Sequence, residues 1–170
     1  RLERRPPGVG LVDGGRLVLL GVTQPELSGS QWARDKGHRG GRLPALDVEV
    51  HRLVADATRT LVEGGLLAGA HDVGAGGLGL ALAEMAVRSG LGVNVARVAD
   101  AAELFSESPS RVVVCVAPDQ LQAVLNVAVV TNTIPNAGIS LPFFSSGGTS
   151  LMMLLAEMVV VLGVSRGEAL

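Results

Sequence analysis

The chain has 170 residues, a formal net charge of −2 and one cysteine, Cys115. This length predicts one domain, or one domain with an appendage, that is large enough to bury a core. The weak negative charge argues against nucleic acid as a partner, and a single cysteine excludes an internal disulfide.

The first half of the chain alternates irregular and regular segments. Residues 1–16 are rich in charge, Pro and Gly, which indicates a linker or an edge segment. They lack an initiator Met and an apolar signal core, so we expect a piece of a longer protein without a signal peptide. Residues 17–23 are typical of a strand, whereas residues 24–45 predict a long functional or mobile loop with one helical turn at 31–36. Trp32 in that loop is either a packing anchor or a ligand-stacking residue.

An amphipathic helix is predicted next. Residues 46–63 place an apolar stripe at helical spacing, beginning with Leu46, and Gly64-Gly65 ends it. The short apolar run 66–70 predicts a buried strand, and residues 78–89 predict a second helix that stops at Gly90.

Between this strand and this helix lies a glycine turn, His71-Asp72-Val73-Gly74-Ala75-Gly76-Gly77. Glycines allow a ligand to approach the backbone, and the first N–H groups of a helix favour an anion. Asp72 could hold a divalent cation against a phosphate. Alternatively, the glycines are steric necessities of strand–helix packing and Asp72 caps backbone N–H groups. His71 is interpreted as a hydrogen-bonded residue at the strand end, with general acid/base work as the alternative.

The remaining elements complete an alternating pattern. Residues 91–96 alternate with period two, as a half-buried strand does, and residues 101–105 predict a helical turn. Residues 111–117 predict a strand buried on both faces, with Cys115 as an inert core residue, and Pro118 is suited to open the next helix. The alternation predicts a layered α/β or α+β fold.

Three segments resemble one family. His71–Met85 (HDVGAGGLGLALAEM) resembles the signature of PurM-like C-terminal domains, and is most similar to that of phosphoribosylformylglycinamidine (FGAM) synthases. Leu20–Ser30 resembles the family segment LLGxTxxELGGS, and Leu104–Arg111 resembles LFSESxSR. The resemblance covers about the first 118 residues.

The resemblance implies a PurM-like layered sheet with flanking helices, and a role in the ATP- and glutamine-dependent amidation of formylglycinamide ribonucleotide (FGAR) to FGAM in purine biosynthesis. It implies Mg²⁺ and ATP or ADP as cofactors, with Asp72 as the metal ligand. The glutaminase set and the N-terminal PurM-like domain are absent from the sequence, so we expect a cytoplasmic fragment that is inactive alone and needs those domains as partners. By the same resemblance, the substrate and nucleotide contacts are Gly74, Gly76, Gly77, Glu107, Ser108 and Arg111.

Two features qualify this transfer. The His-Asp-Val start resembles the second half of the family's internal repeat, whose nucleotide site is auxiliary rather than catalytic. Gly74-Ala75 also stand where that half has Ser followed by an acidic residue. Arg111 is interpreted either as a phosphate clamp or as an ion-pair partner of Glu107.

The tail resembles a different family. Residues 138–150 (GISLPFFSSGGTS) are similar to a segment before the last transmembrane helix of SEDS membrane polymerases of the FtsW, RodA and SpoVE group. The apolar run 151–164 falls short of the roughly 20 residues that span a bilayer. We therefore predict a PurM-like domain over 1–120 joined to an apolar helical tail over 121–170. The alternatives are a membrane-associated SEDS fragment or a non-functional chimera. An open sheet edge would favour a homo-oligomer.

Overall fold

The computed structural model describes residues 3–95 and 100–133. The predicted apolar tail, with its SEDS-like segment, lies outside the described residues apart from residues 121–133. The elements in chain order are β1 (Arg16–Leu20), α1 (Gln31–Asp35), α2 (Val48–Glu63), β2 (Gly69–Asp72), α3 (Gly77–Ser89), α4 (Ala101–Phe105), β3 (Val112–Val116), a 3₁₀ turn (Pro118–Gln120) and α5 (Leu121–Val130).

The three strands form one antiparallel sheet in the order β1-β3-β2. Cys115 lies opposite Leu17 on one side and opposite Gly69 on the other. β3 consists of four valines and one cysteine, and β-branched residues favour a pleated, buried surface. Four of its five residues are buried, which confirms the strand predicted to be covered on both faces.

Helices cover both faces of the sheet. Side chains of alternate strand positions point to opposite faces, so neighbouring residues of β3 enter different cores. On one face α3 packs against a core that contains Leu17, Val73, Ala81, Leu82, Met85, Ala86, Val93, Val113 and Cys115. On the other face α2 and α5 pack against Val18, Leu20, Val54, Leu61, Val114, Val116, Val124 and Ala128. The predicted layered sheet with flanking helices is confirmed.

The amphipathic helix α2 begins where its N-cap allows. The Asp47 carboxylate accepts hydrogen bonds from the N–H groups of Glu49 (2.9 Å) and Val50 (3.1 Å), which would otherwise lack partners. Leu46 therefore precedes the helix, and it is 61% exposed rather than part of the apolar stripe. The prediction for Leu46 was wrong because the capping residue, not the apolar period, sets the first turn.

Two strand predictions need correction. β2 covers Gly69–Asp72 instead of 66–70, because ladder pairing with β3 continues through Asp72, opposite Val112. The strand predicted at 91–96 is wrong for residues 91–95, which form no strand. Val93 is buried in the α3-side core, so the alternating pattern reported side-chain burial and not ladder pairing.

The predicted edge segment near the N-terminus covers part of β2. The Ala70 N–H donates to the Gly8 carbonyl oxygen at 3.0 Å, and a side chain at Gly69 would collide with the Gly10 carbonyl. Only glycine at position 69 leaves room for this close approach of two backbones.

α5 is built into the same core. Val124 and Ala128 are fully buried, and the Gly21 N–H donates to the Thr133 carbonyl oxygen at 2.8 Å. The described fold thus continues past residue 120, while the division of the chain into 1–120 and 121–170 stays a prediction. Within residues 3–95 and 100–133, no helix has both the length and the apolar character of a membrane span.

Candidate functional site

The glycine turn joins β2 to α3, as the sequence predicts. Gly76 is the N-cap of α3, and its φ of +77° is followed by +66° at Gly77. These left-handed conformations favour glycine. The Gly77 N–H donates to the Gly74 carbonyl oxygen at 3.0 Å, which closes the turn on itself.

Gly77 is required by packing. It is buried, and a Cβ there would lie 2.5 Å from the Leu104 carbonyl oxygen and 2.6 Å from that of Ser106. Gly74 differs, because it is exposed and its added Cβ would meet only the Asp72 carboxylate at 3.5 Å. Of the predicted glycine contacts, Gly77 faces the protein interior and Gly74 faces solvent.

Glu107 supplies an anion to the turn. Its Oε1 accepts the Gly76 N–H at 2.8 Å and the Gln31 N–H at 2.7 Å. Gln31 is the first residue of α1 and Gly76 is the N-cap of α3, so one carboxylate serves the N-termini of two helices. A backbone amide of the glycine turn is thus directed at an anion, as predicted, and that anion is a side chain of the chain itself.

Ser108 lies behind Glu107 in a buried polar network. Its hydroxyl donates to the Gln24 carbonyl oxygen and accepts the Gln24 N–H, both at 2.9 Å. Its oxygen also lies 3.3 Å from the hydroxyl of Ser106, which is equally buried. Ser108 therefore fixes the beginning of the long loop after β1.

Arg111 is 2% exposed and donates to three oxygens. They are the carbonyl oxygens of Ser106 (2.6 Å) and Ser108 (3.2 Å) and the hydroxyl of Thr23 (3.1 Å). Burial lowers the pKa of Arg111 to about 10. Among the described residues its guanidinium makes no ion pair, so the interpretation as a partner of Glu107 was wrong: each group is engaged by other polar partners.

Asp72 stands at the end of β2 with its side chain 87% exposed. Beside it, His71 Nδ1 lies 2.7 Å from the Asp72 carbonyl oxygen, and Nε2 lies 2.9 Å from Glu84 Oε2 on α3. Both ring nitrogens therefore have partners, which confirms the hydrogen-bonded strand-end histidine.

The donor set at Asp72 is a single exposed carboxylate. In the described part of the chain, no group of three or more His, Cys, Asp or Glu side chains could enclose a metal ion. Mg²⁺ keeps most of its waters and commonly uses one or two carboxylates together with substrate phosphates. Asp72 fits that kind of shared site and not an all-protein cage.

The sequence reading missed Gln24, which closes the long loop. Its side-chain amide donates to the Ala45 carbonyl oxygen at 2.8 Å and its Oε1 accepts the Ala45 N–H at 2.9 Å. This pair copies one rung of a β-ladder. A polar residue directly after a strand and before a Gly/Pro-rich segment was the available signal, and it does not identify the partner.

The comparisons with known proteins agree with this geometry. The family described as AIR synthase related protein, C-terminal domain, matches residues 12–133. A phosphoribosylformylglycinamidine synthase subunit PurL from Nocardioides sp. is 49% identical over 120 residues, which cover 69% of this chain and 16% of the relative. The chain thus spans about a sixth of that relative's length.

Solved structures show the same likeness. The Thermotoga maritima PurL complexed with FGAR superposes with a TM-score of 0.62 and 26% identity, over 75% of this chain and 24% of that one. The same protein complexed with ATP gives 0.59 and 25%, over 75% and 21%. With the family match over most of its length, the chain belongs to the AIR synthase related C-terminal domain family.

Proposed function

We propose that the chain is the C-terminal PurM-like domain of an FGAM synthase, working in the cytoplasm. The observation that carries the proposal is the clamp between Glu107 and Gly76, which joins two of the family-like segments in one site. The identity of 49% to a PurL subunit supports the assignment. Amidation of FGAR would then belong to the whole assembly, with the N-terminal PurM-like domain and a glutaminase as partners and ATP or ADP with Mg²⁺ as cofactors.

In this proposal the predicted site residues divide into two groups. Asp72 and Gly74 are exposed, so they would meet the ligand: Asp72 as a carboxylate ligand of Mg²⁺, and the Gly74 backbone beside a phosphate. A bound Mg²⁺ would supply positive charge that neutralises the phosphate oxygens. Gly76 and Glu107 would shape the turn, with Glu107 Oε1 already engaged by two amides.

Ser108 and Arg111 would act from behind this surface. Both are buried and bind the backbone of residues 106–108 or Gln24, so they hold Glu107 in place. Gly77 would let α3 approach the end of α4. We therefore assign these three residues to positioning, in the auxiliary type of nucleotide site that the family's second half contains.

A titration of the isolated chain tests the ligand contacts. Mn²⁺, as a paramagnetic substitute for Mg²⁺, is added with ADP, and amide signals are followed by NMR. We expect broadening centred on Asp72 and Gly74, and its loss in Asp72→Asn. Asp56→Asn, which removes an exposed carboxylate of α2, is the control. Equal broadening in wild type and Asp72→Asn would disprove the metal assignment.

A segment exchange tests the function of the whole protein. Residues 12–133 replace the matched segment of the Nocardioides PurL subunit, and ATP-dependent FGAM formation from FGAR and ammonia is measured. We expect activity to be retained and to fall in the Asp72→Asn version of the hybrid. A hybrid that folds and assembles normally but makes no FGAM would contradict the assignment.

A further inference from the structure

The loop after β1 carries a concentrated positive charge. Within residues 34–42 stand Arg34, Lys36, Arg39 and Arg42 with one acidic residue, Asp35, and all five side chains are exposed. The net charge of the whole chain is −2, so this loop opposes the sign of its own protein. Residues 34–43 are called the basic loop below.

The basic loop is held in a defined shape. At its base, the Gln24 side chain pairs with both backbone groups of Ala45. At its start, the His38 N–H donates to the Ala33 carbonyl oxygen at 2.8 Å, which turns the chain out of α1. Farther along, the Gly41 backbone lies so close to the buried Ser28 that a Cβ would collide with its hydroxyl.

Such anchoring would be superfluous for charges that only keep the protein soluble. Exposed loops that solvate a surface need no fixed geometry, whereas preorganised side chains lose less entropy when a partner binds. In the described residues, Lys36, Arg39 and Arg42 form no ion pair, so their charges are available.

Apolar side chains adjoin the basic residues. Leu43 is 69% exposed, Leu46 61% and Val48 54%, all within six positions of Arg42. Single exposed apolar residues are ordinary on a protein surface, but three in succession beside a cationic cluster are not. An apolar centre with a charged rim is the usual composition of a protein–protein interface.

We infer that the basic loop, with Leu43, Leu46 and Val48, is a docking surface for an acidic face of another protein domain. Its cations would pair with carboxylates at the rim, while the three apolar side chains would enter the centre of the contact. A nucleic acid would satisfy the charges but would leave the apolar residues in water. This inference uses none of the residues of the proposed ligand site.

Trp32 provides an intrinsic reporter for the test. It is the only tryptophan, it lies in α1, and its carbonyl oxygen accepts the Lys36 N–H at 3.1 Å. The probe is a labelled helical peptide with Glu on one face and Leu on the other. A single-stranded oligonucleotide of equal charge is the comparison. Binding is measured by probe anisotropy and by Trp32 fluorescence at low and moderate salt.

Three variants of the full chain separate the contributions. Lys36→Gln/Arg39→Gln/Arg42→Gln removes the loop charges, and Arg52→Gln/Arg59→Gln/Arg88→Gln removes the same charge from exposed positions on α2 and α3. Leu43→Ser/Leu46→Ser removes apolar contacts only. All substituted side chains are exposed, and circular dichroism verifies that each variant folds.

We expect the loop-charge variant to weaken peptide binding about tenfold and the α2/α3 variant less than about twofold, with salt weakening the wild-type complex. The leucine variant should weaken peptide binding and leave oligonucleotide binding unchanged. Absence of peptide binding, equal losses in both charge variants, or tighter binding of the oligonucleotide than of the peptide would each overturn the inference. Since Asp72 is intact throughout, failure here is distinguishable from failure of the metal titration.

Discussion

Glu107 Oε1 accepts the Gly76 N–H at 2.8 Å although the two residues are 31 positions apart. The same oxygen accepts the Gln31 N–H from a third segment of the chain. The glycine turn, the loop after β1 and the segment before β3 are therefore fixed relative to one another by one carboxylate. The carboxylate does so with a full charge, which strengthens hydrogen bonds from backbone amides.

Replacing Glu107 should measure that clamp. Glu107→Ala leaves two backbone amides without their acceptor, and we expect a loss of about 2 kcal/mol in the free energy of unfolding, whereas Glu107→Gln, which keeps an uncharged acceptor, should lose about half of that. Urea unfolding gives both values, and amide exchange at Gly76 reports the bond directly. Glu63→Ala, at an exposed position of α2, is the control. A Glu107→Ala protein as stable as this control would contradict the clamp.

The two ends of the glycine turn should respond differently to a methyl group. Gly77→Ala forces a Cβ against two carbonyl oxygens at a positive φ, and we expect a loss of about 2–4 kcal/mol. Gly74→Ala meets only an exposed carboxylate, so its effect should stay within about 0.5 kcal/mol. Thermal and urea unfolding of the pair decide the matter, and similar losses in both variants would disprove the packing role of Gly77.

Cys115 should make stability fall in alkaline solution. Burial raises the pKa of its thiol, so above the ordinary thiol pKa the unfolded chain releases a proton that the folded chain retains. The unfolded state then binds fewer protons, and the free energy of unfolding decreases with pH, by at most about 1.4 kcal/mol per unit.

Comparison with Cys115→Ala isolates this effect. The lowered pKa of Arg111 acts in the opposite direction above about pH 10, because there the unfolded chain binds more protons, and it is common to both proteins. The difference between wild type and variant should therefore shrink steadily as the pH rises from 8 to 10. Parallel stability curves over this range would contradict a buried thiol.

Gln24 should control access to the basic loop. Gln24→Ala removes both hydrogen bonds to Ala45, and trypsin should then cut after the basic residues of the loop about tenfold faster, because opening costs about 1.4 kcal/mol less. Gln122→Ala, which removes one exposed side-chain bond on α5, is the matched control. Unchanged cleavage in Gln24→Ala would show that other contacts close the loop.

Local patterns predicted the elements better than their contacts. The valine run of β3, the Gly64-Gly65 stop after α2 and the strand–glycine–helix order around Gly76 are all visible within short windows, because periodicity and backbone freedom are local properties. The segment at 91–95 misled for the same reason: alternating burial looks alike with or without a neighbouring strand.

The candidate site depended on distant pairings. Nothing near Glu107 in sequence announces that its carboxylate will cap Gly76 and Gln31, or that Arg111 will spend its charge on carbonyl oxygens of Ser106 and Ser108. A motif marks such residues as a group, but whether a carboxylate faces a ligand or a backbone amide is decided by tertiary geometry. The sequence therefore located the site and left the roles within it open.

The central position of β3 has a consequence for synthesis on the ribosome. β1 and β2 are separated in the sheet by a strand that leaves the ribosome after both of them, so neither has its ladder partner until residues 112–116 emerge. Until then two apolar strands wait unpaired in the nascent chain. Assembly of the sheet is thus a late, single event governed by the arrival of five residues.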